Sequence, residues 1–167
     1  MGYETEVLFL GTSSCTPDIG NDTSCIVVNR KYLFDTGWSV VSNLRQNGIE
    51  PTDVNHLFFT HMHHDHYLSL PSLIFYYLCR RKPLNELKII GPRKDVERVV
   101  GLAYSFLQVD RFYTDVGYPT IIPLSHGESF SNDEIDVTTC SSLHPVEGLC
   151  YRFVDRKTGK IIGITGD

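Results

Sequence analysis

Four histidines and an aspartate stand within six consecutive positions of this chain, in Thr60-His61-Met62-His63-His64-Asp65-His66, directly behind the apolar run Leu57-Phe58-Phe59. A packed core has no use for imidazoles at that density, so the fold must deliver the segment to a place where polar chemistry is done. If the apolar run is a buried strand, His61 and His63 project to one side of its extended exit, because side chains two apart share a face. Asp65 and His66 follow where the chain turns. Neutral imidazoles and carboxylates are good zinc ligands, and imidazole also suits iron and other borderline metals, so two neighbouring divalent metal positions are the natural occupants.

The rest of the pattern is arranged about that strand. Residues 54–59 are nearly all apolar, as in a central strand covered on both faces, with the cluster at its carboxyl end. Upstream, residues 6–10 form a first strand running into the small-residue loop 11–17. Residues 25–28 and 32–34 form two short strands joined by a tight turn at Asn29-Arg30-Lys31. Val40, Val41 and Leu44 give a short helix that stops at Asn47-Gly48. Downstream, Leu70, Leu73, Ile74, Tyr77 and Leu78 make one helical face, residues 87–90 a strand, and Val96, Val99, Val100, Ala103 and Leu107 a second helix. The last third reads as strands only, around 121–122, 135–139, 149–154 and 160–164, the final two forming a hairpin through Asp155-Arg156-Lys157-Thr158-Gly159.

With 167 residues, no repeat and no linker, the chain is expected to be one domain over 1–167. Its net charge of -5 argues against a surface built mainly for nucleic acid, though a local basic patch stays compatible. No secretory segment follows Met1 and no apolar run could span a bilayer, so a cytoplasmic protein without membrane contact is expected. The five cysteines are odd in number and contain no C-x-x-C pair, which points to buried free thiols.

His61 and His63 need a third ligand, and His144 is the best candidate, standing just past the strand that ends near Cys140. Asp65 and His66 would serve a second position. Asp167, in Thr165-Gly166-Asp167 at the end of the last strand, could place a carboxylate between two ions. Two such ions about 3.5–4 Å apart suit hydrolysis. Asp65 is also the candidate catalytic group, orienting or deprotonating the attacking water with its second oxygen. His64 lies between ligands and points away, while His56 and His126 are read as structural. Arg80-Arg81-Lys82 is read as a solvated helix cap in preference to a phosphate contact.

The segment His61-Met62-His63-His64-Asp65-His66 resembles the H-x-H-x-D-H signature of the metallo-β-lactamase superfamily. Gly11-Thr12, Phe34-Asp35-Thr36-Gly37, His144 and Thr165-Gly166-Asp167 follow that family's order. Within it, Leu70-Pro71-Ser72-Leu73, Pro83-Leu84, Ile90-Gly91-Pro92 and the stretch from His144 to Phe153 look most like the ribonuclease Z branch, whose members cleave a phosphodiester at the 3′ side of transfer RNA precursors. The resemblance implies an αββα sandwich of the metallo-β-lactamase type, to which this chain supplies the first half and the start of the second sheet. It also implies two divalent ions, zinc first with iron or manganese as alternatives. His61, His63 and His144 would hold one, Asp65 and His66 the other, and Asp167 would bridge. The implied substrate is a phosphodiester, RNA included.

Three departures from the branch are visible. Trp38-Ser39-Val40 stands where a glutamate and glycine are usual, Gly20-Asn21-Asp22-Thr23-Ser24 lacks an arginine, and no long Gly/Pro-rich arm is present. A hydrolase of small phosphodiesters or esters is therefore the alternative. Family members also continue through a second half that supplies further strands, outer helices and a last histidine. The expectation is thus an incomplete domain, completed by a missing C-terminal half or by a homo-oligomeric partner, with an apolar sheet face left in water. A metal-binding half without activity of its own is the remaining reading.

Overall fold

The apolar runs build two sheets laid face to face in a computed structural model that describes residues 2–113 and 115–167. Strands β1 (Val7–Ser13), β2 (Asp22–Thr23), β3 (Cys25–Val28) and β4 (Tyr32–Phe34) precede helix α1 (Val40–Gln46). Strand β5 (His56–Phe58) leads into the one-turn α2 (His64–Tyr67) and then α3 (Leu70–Cys79). After β6 (Lys88–Pro92) come α4 (Val96–Phe106), the short α5 (Val109–Phe112) and β7 (Thr120–Leu124). The remaining strands are β8 (Ser129–Ser131), β9 (Ile135–Ser141), β10 (Leu149–Asp155) and β11 (Ile161–Ile164), with no helix between them.

The first sheet has the order β2-β1-β3-β4-β5-β6-β7, with β4 to β7 parallel, and the second is the antiparallel β11-β10-β9-β8. Side-chain alternation sorts the core. Leu33, Leu57 and Ile89 face the helices and pack with Leu44, Leu73, Ile74, Tyr77 and Val100. Phe34, Phe58 and Ile90 face the second sheet and pack with Val137, Tyr151 and Phe153. Phe34 and Phe58 stack at 4.8 Å, with the rings of Tyr151 and Phe153 meeting Phe34 edge-on. Strands covered on both sides need apolar residues at every position, which is why β4 to β6 read as continuous runs. Helix, sheet and sheet are three layers of the expected sandwich. Among the described residues no helix is long and apolar enough to cross a membrane.

Several expectations are refined. The central strand is shorter than 54–59, because Pro51–Asp53 turns as a 3₁₀ helix and Val54 only leads out of it. In the three-residue connection between β3 and β4, Asn29 and Arg30 are the central residues of a turn closed by Lys31 N donating to Val28 O, and both take positive φ as a primed turn requires. Strands β2 and β8 and helix α5 are two to four residues long, too short for periodicity to reveal. All five cysteines are free, but only Cys25 is buried. Cys140 and Cys150 are cross-strand partners whose neighbours Thr139 and Tyr151 point inward, so both thiols face out.

The expected exposed apolar sheet face is found on the first sheet. On the outer face of the second sheet Thr138, Cys140 and Arg152 are exposed, which is a mixed surface. Beside Ile161 of β11, which is exposed on that outer face, apolar exposure lies at Val7 and Phe9 of β1, paired with Val28 and Ile26 and on the same side as these. That side faces the second sheet, which ends at β11.

At the edge of the sandwich away from the histidine cluster, Glu134 accepts hydrogen bonds from Lys31 Nζ and Tyr32 OH, and these hold its carboxyl at about 2. His56 is buried between Tyr32 and Phe130, and burial foremost pushes it down to about 4. A depressed carboxylate stabilises the fold above its unfolded range near about 4.3 and loses that contribution as pH falls toward 2. A depressed imidazole contributes fully above about 6.5 and loses it as pH falls toward 4. Urea midpoints are therefore expected to decline from pH 7 to about pH 2. Replacing His56 by Gln should flatten the upper part of that slope and Glu134→Gln the lower.

Candidate metal centre

Where β5 ends, the two sheets are sewn together by main-chain contacts. Leu149 N donates to Thr60 O (2.8 Å), Tyr151 OH donates to Phe59 O (2.6 Å), and His61 forms an isolated bridge with Gly148. The loop between β9 and β10 is thereby laid against the histidine cluster. Gly148 makes the approach possible, since a side chain there would collide with Ser142 Oγ. Gly166, at φ +66, likewise lets the segment after β11 pass against Thr60.

Two sets of donor atoms converge as a result. One nitrogen each from His61, His63 and His144 lie within 4.8 Å of one another, with His144 Nε2 2.8 Å and His61 Nε2 3.2 Å from His63 Nδ1. The second set is His61, His66 and Asp167, also within 4.8 Å. Asp167 Oδ1 lies 3.4 Å from His66 Nε2, and its Oδ2 lies 4.0 Å from His61 Nε2. Asp65 Oδ2 is a further 3.4 Å neighbour of His66 Nε2. All six residues singled out in the sequence are thus brought together. His61 is common to both sets.

His66 is completely buried and its Nε2 has no hydrogen-bond partner among the described residues. A buried polar atom without a partner is costly, and here it faces two carboxylates. Its other nitrogen is accounted for by Asp35. That carboxylate, buried at φ +55 just past β4, pairs with His66 Nδ1 at 2.8 Å and accepts from Thr60 N (2.9 Å), Thr60 Oγ1 (2.8 Å) and Ser24 Oγ (3.3 Å). Asp35 therefore fixes the ring that carries the open nitrogen, as outer carboxylates do for metal-ligating histidines. Sequence reasoning placed Asp35 only at a strand end. The available signal was a lone carboxylate leaving the strand that neighbours the histidine-bearing one.

Burial works against charge on His66, yet the hydrogen bond and charge of Asp35, with Asp167 and Asp65, lift it to about 9. Burial, then the adjacent His66, pushes His61 down to about 4 against the pull of Asp35. His61 is a neutral donor at physiological pH. Any cation that takes His66 Nε2 must displace a proton.

The remaining histidines stay outside. His64 is exposed and lies 5.6 Å from the Tyr67 ring, and His56 is at the start of β5. Arg80 ends α3 against Glu50 and Tyr76, as expected of a cap.

The layered sheets and the paired donor sets at the end of β5 define a protein of the metallo-β-lactamase fold. Its structure is similar to that of human tRNase Z, short form, with a TM-score of 0.76 at 21% identity, covering 98% of this chain and 69% of that one. The chain belongs to the family described as Anti-Pycsar protein Apyc1, whose family model matches residues 5–167. It is similar to "Ribonuclease BN" of Enterobacter sp. (strain 638), 32% identical over 161 residues, which cover 88% of this chain and 48% of that protein. It is also similar to "Ribonuclease Z" of Methanothermobacter thermautotrophicus, 28% identical over 162 residues, covering 94% and 50%. The expected likeness to the ribonuclease Z branch is borne out, and the chain spans about half the length of these curated relatives.

Proposed function

We propose that this chain works as a binuclear metal-dependent phosphodiesterase whose preferred substrate is a small phosphodiester. The observation that carries the reading is the convergence of both donor sets on His61, with His66 Nε2 buried and unpaired beside Asp65 and Asp167. His61, His63 and His144 would hold one cation, and Asp65 and His66 the other, with Asp167 between them. Imidazole-rich donors with carboxylates favour zinc, with iron or manganese as alternatives, and two such cations supply Lewis acidity toward a phosphoryl oxygen and a readily deprotonated water.

The chain's own groups do the rest. Asp65 holds or takes the proton of the attacking water, having a second oxygen not needed for ligation. Asp35 keeps His66 oriented and its Nδ1 hydrogen-bonded, so that Nε2 is the nitrogen presented. The main-chain bonds from the second sheet hold His144 within reach of His63.

Compact loops support the small substrate. Strands β10 and β11 are joined by five residues, 156–160, and β9 and β10 by seven, 142–148, so neither of these two connections carries an inserted arm. The net charge of -5 agrees, since RNA affinity is dominated by phosphate contacts. Cleavage of RNA at a 3′ end is the second reading, favoured by the similarity to proteins named ribonuclease Z and BN.

Metal analysis together with turnover of bis(p-nitrophenyl) phosphate, beside a 3′-extended transfer RNA precursor, tests the reading. About two metal equivalents and chelator-sensitive turnover, with the small substrate preferred, are expected. Retention of no metal, or turnover indifferent to a chelator, sinks it. Preference for the precursor selects the second reading.

A further inference from the structure

Cys140 and Cys150 stand directly opposite each other on β9 and β10, on the outer face of the second sheet, where the core needs neither thiol. Cys140 is exposed and Cys150 half-buried. Two residues along the ladder Ser142 N donates to Gly148 O (3.1 Å), so by alternation Cys140 and Cys150 form a hydrogen-bonded pair, with Cα atoms about 5.5 Å apart. Disulfides span Cα separations of about 4.4–6.8 Å, so these thiols can be joined without moving either strand. Burial first, and then the adjacent Cys140, push the Cys150 thiol up, as two neighbouring sulfurs should.

The pair lies between the two segments that bring His144 and Asp167 to the centre. Ser141 follows Cys140 and ends β9, from which the loop with His144 departs. On the other side Cys150 Sγ donates to Thr165 O (3.7 Å), just past β11, and Asp167 is two residues further on. A thiol is a weak donor, but Asp167 is half exposed, and this thiol tethers the segment whose carboxylate faces His61 and His66. A sulfur bonded to another sulfur has no hydrogen to give. Joining the pair therefore takes the donor away from Thr165 O and draws Cys150 Sγ to about 2.05 Å from its partner sulfur.

We infer that Cys140 and Cys150 are a thiol–disulfide site whose oxidation by a low-molecular-weight disulfide releases the segment carrying Asp167. The thiolate of Cys140, the more exposed of the two, attacks one sulfur of the oxidant and expels the first thiol, leaving a mixed disulfide. Cys150 then gives up its proton and attacks the Cys140 sulfur, expelling the second thiol. Two electrons pass from the pair to the oxidant, one S–S bond forms for the one that breaks, and the two S–H protons end on the two released thiols. Exposed disulfides are the readily reduced ones, so the step runs in both directions. The chemistry of the pair is independent of the function proposed above; its effect on the metal centre rests on that reading.

The test treats the chain with oxidised glutathione, maps the cross-links by mass spectrometry of the digested protein, and measures zinc affinity in competition with a chelator before and after. A 140–150 cross-link that dithiothreitol reverses is expected, with Cys15, Cys25 and Cys79 outside it, and with zinc affinity at least threefold weaker while it lasts. Cys140→Ser, which keeps the Cys150 thiol on Thr165 O, is expected to form no cross-link and to keep its zinc affinity under the oxidant. Thiols that stay reduced, or that stop at a mixed disulfide with glutathione, overturn the site. A cross-link that leaves zinc affinity unchanged, or a loss of affinity that Cys140→Ser shares, overturns the release of Asp167. A reduced chain that retains no zinc overturns the metal centre and the effect on it together, whereas the cross-link itself is decided by mass alone.

Discussion

Replacing His61 with alanine is expected to empty the position that His61, His63 and His144 would share, because the nitrogens of the three lie together in one donor set. A three-ligand position reduced to two ligands loses most of its affinity. Metal content should fall from about two equivalents to about one. Turnover of bis(p-nitrophenyl) phosphate should drop by at least about 10³-fold, which corresponds to roughly 4 kcal/mol of transition-state stabilisation. His63→Ala removes another member of the same set, and should leave the same single equivalent behind. Thermal unfolding of both variants in chelator separates ligand loss from damage to the fold. Clearly unequal metal content in the two variants would show that His61 and His63 do not serve one position.

Asp35 carries the second large effect, though it belongs to neither donor set. Its carboxylate is almost fully buried and serves Thr60 N, Thr60 Oγ1, Ser24 Oγ and His66 Nδ1. Truncation by Asp35→Ala strands a buried imidazolium and a main-chain N–H together, a change that costs about 3–5 kcal/mol. Against a total of about 5–15 kcal/mol for a domain, that fraction should appear as a steep loss of thermal midpoint. Asp35→Asn keeps the volume and isolates the electrostatic part. With no anion at Nδ1, His66 falls from about 9 toward the lower value that burial alone favours, as its imidazole carbon-bound proton shifts will report. Metal affinity in that variant should weaken by about 10–100-fold, measured in competition with a chelator.

How much of this was readable beforehand depends on the range of the forces involved. The histidine cluster and its carboxyl-end position on a central strand were legible, because continuous apolar residues and dense imidazoles each admit few alternatives. Helices α3 and α4 were legible from their spacing, with Pro71 in the first turn of α3. His144 and Asp167 were identified as candidates from loop positions and the family likeness. Their meeting with His63 and His66 depends on how two sheets dock, which no local pattern encodes.

Asp35 escaped notice as a hub because its value comes from three partners on other segments and a left-handed backbone conformation. The cysteines went wrong through a generic preference for burial, although alternation was available. With Tyr151 and Phe153 facing in, Cys150 and Arg152 had to share the opposite face.

The main-chain stitching at the end of β5 sets an order of events in time. His63 and His144 are 81 residues apart, and they meet only after β10 has closed on Thr60 and Phe59. Contacts of such long sequence separation form late, after the loop-closure entropy has been met. A chain whose second sheet has not yet docked carries His61, His63 and His66 but owns no three-donor position. A cation held by these donors would therefore be a late arrival that recognises docked sheets only, and mass action would turn that selectivity into a lock. At a free metal concentration a hundredfold above Kd, the folded state would gain about 2.7 kcal/mol over every unfinished one.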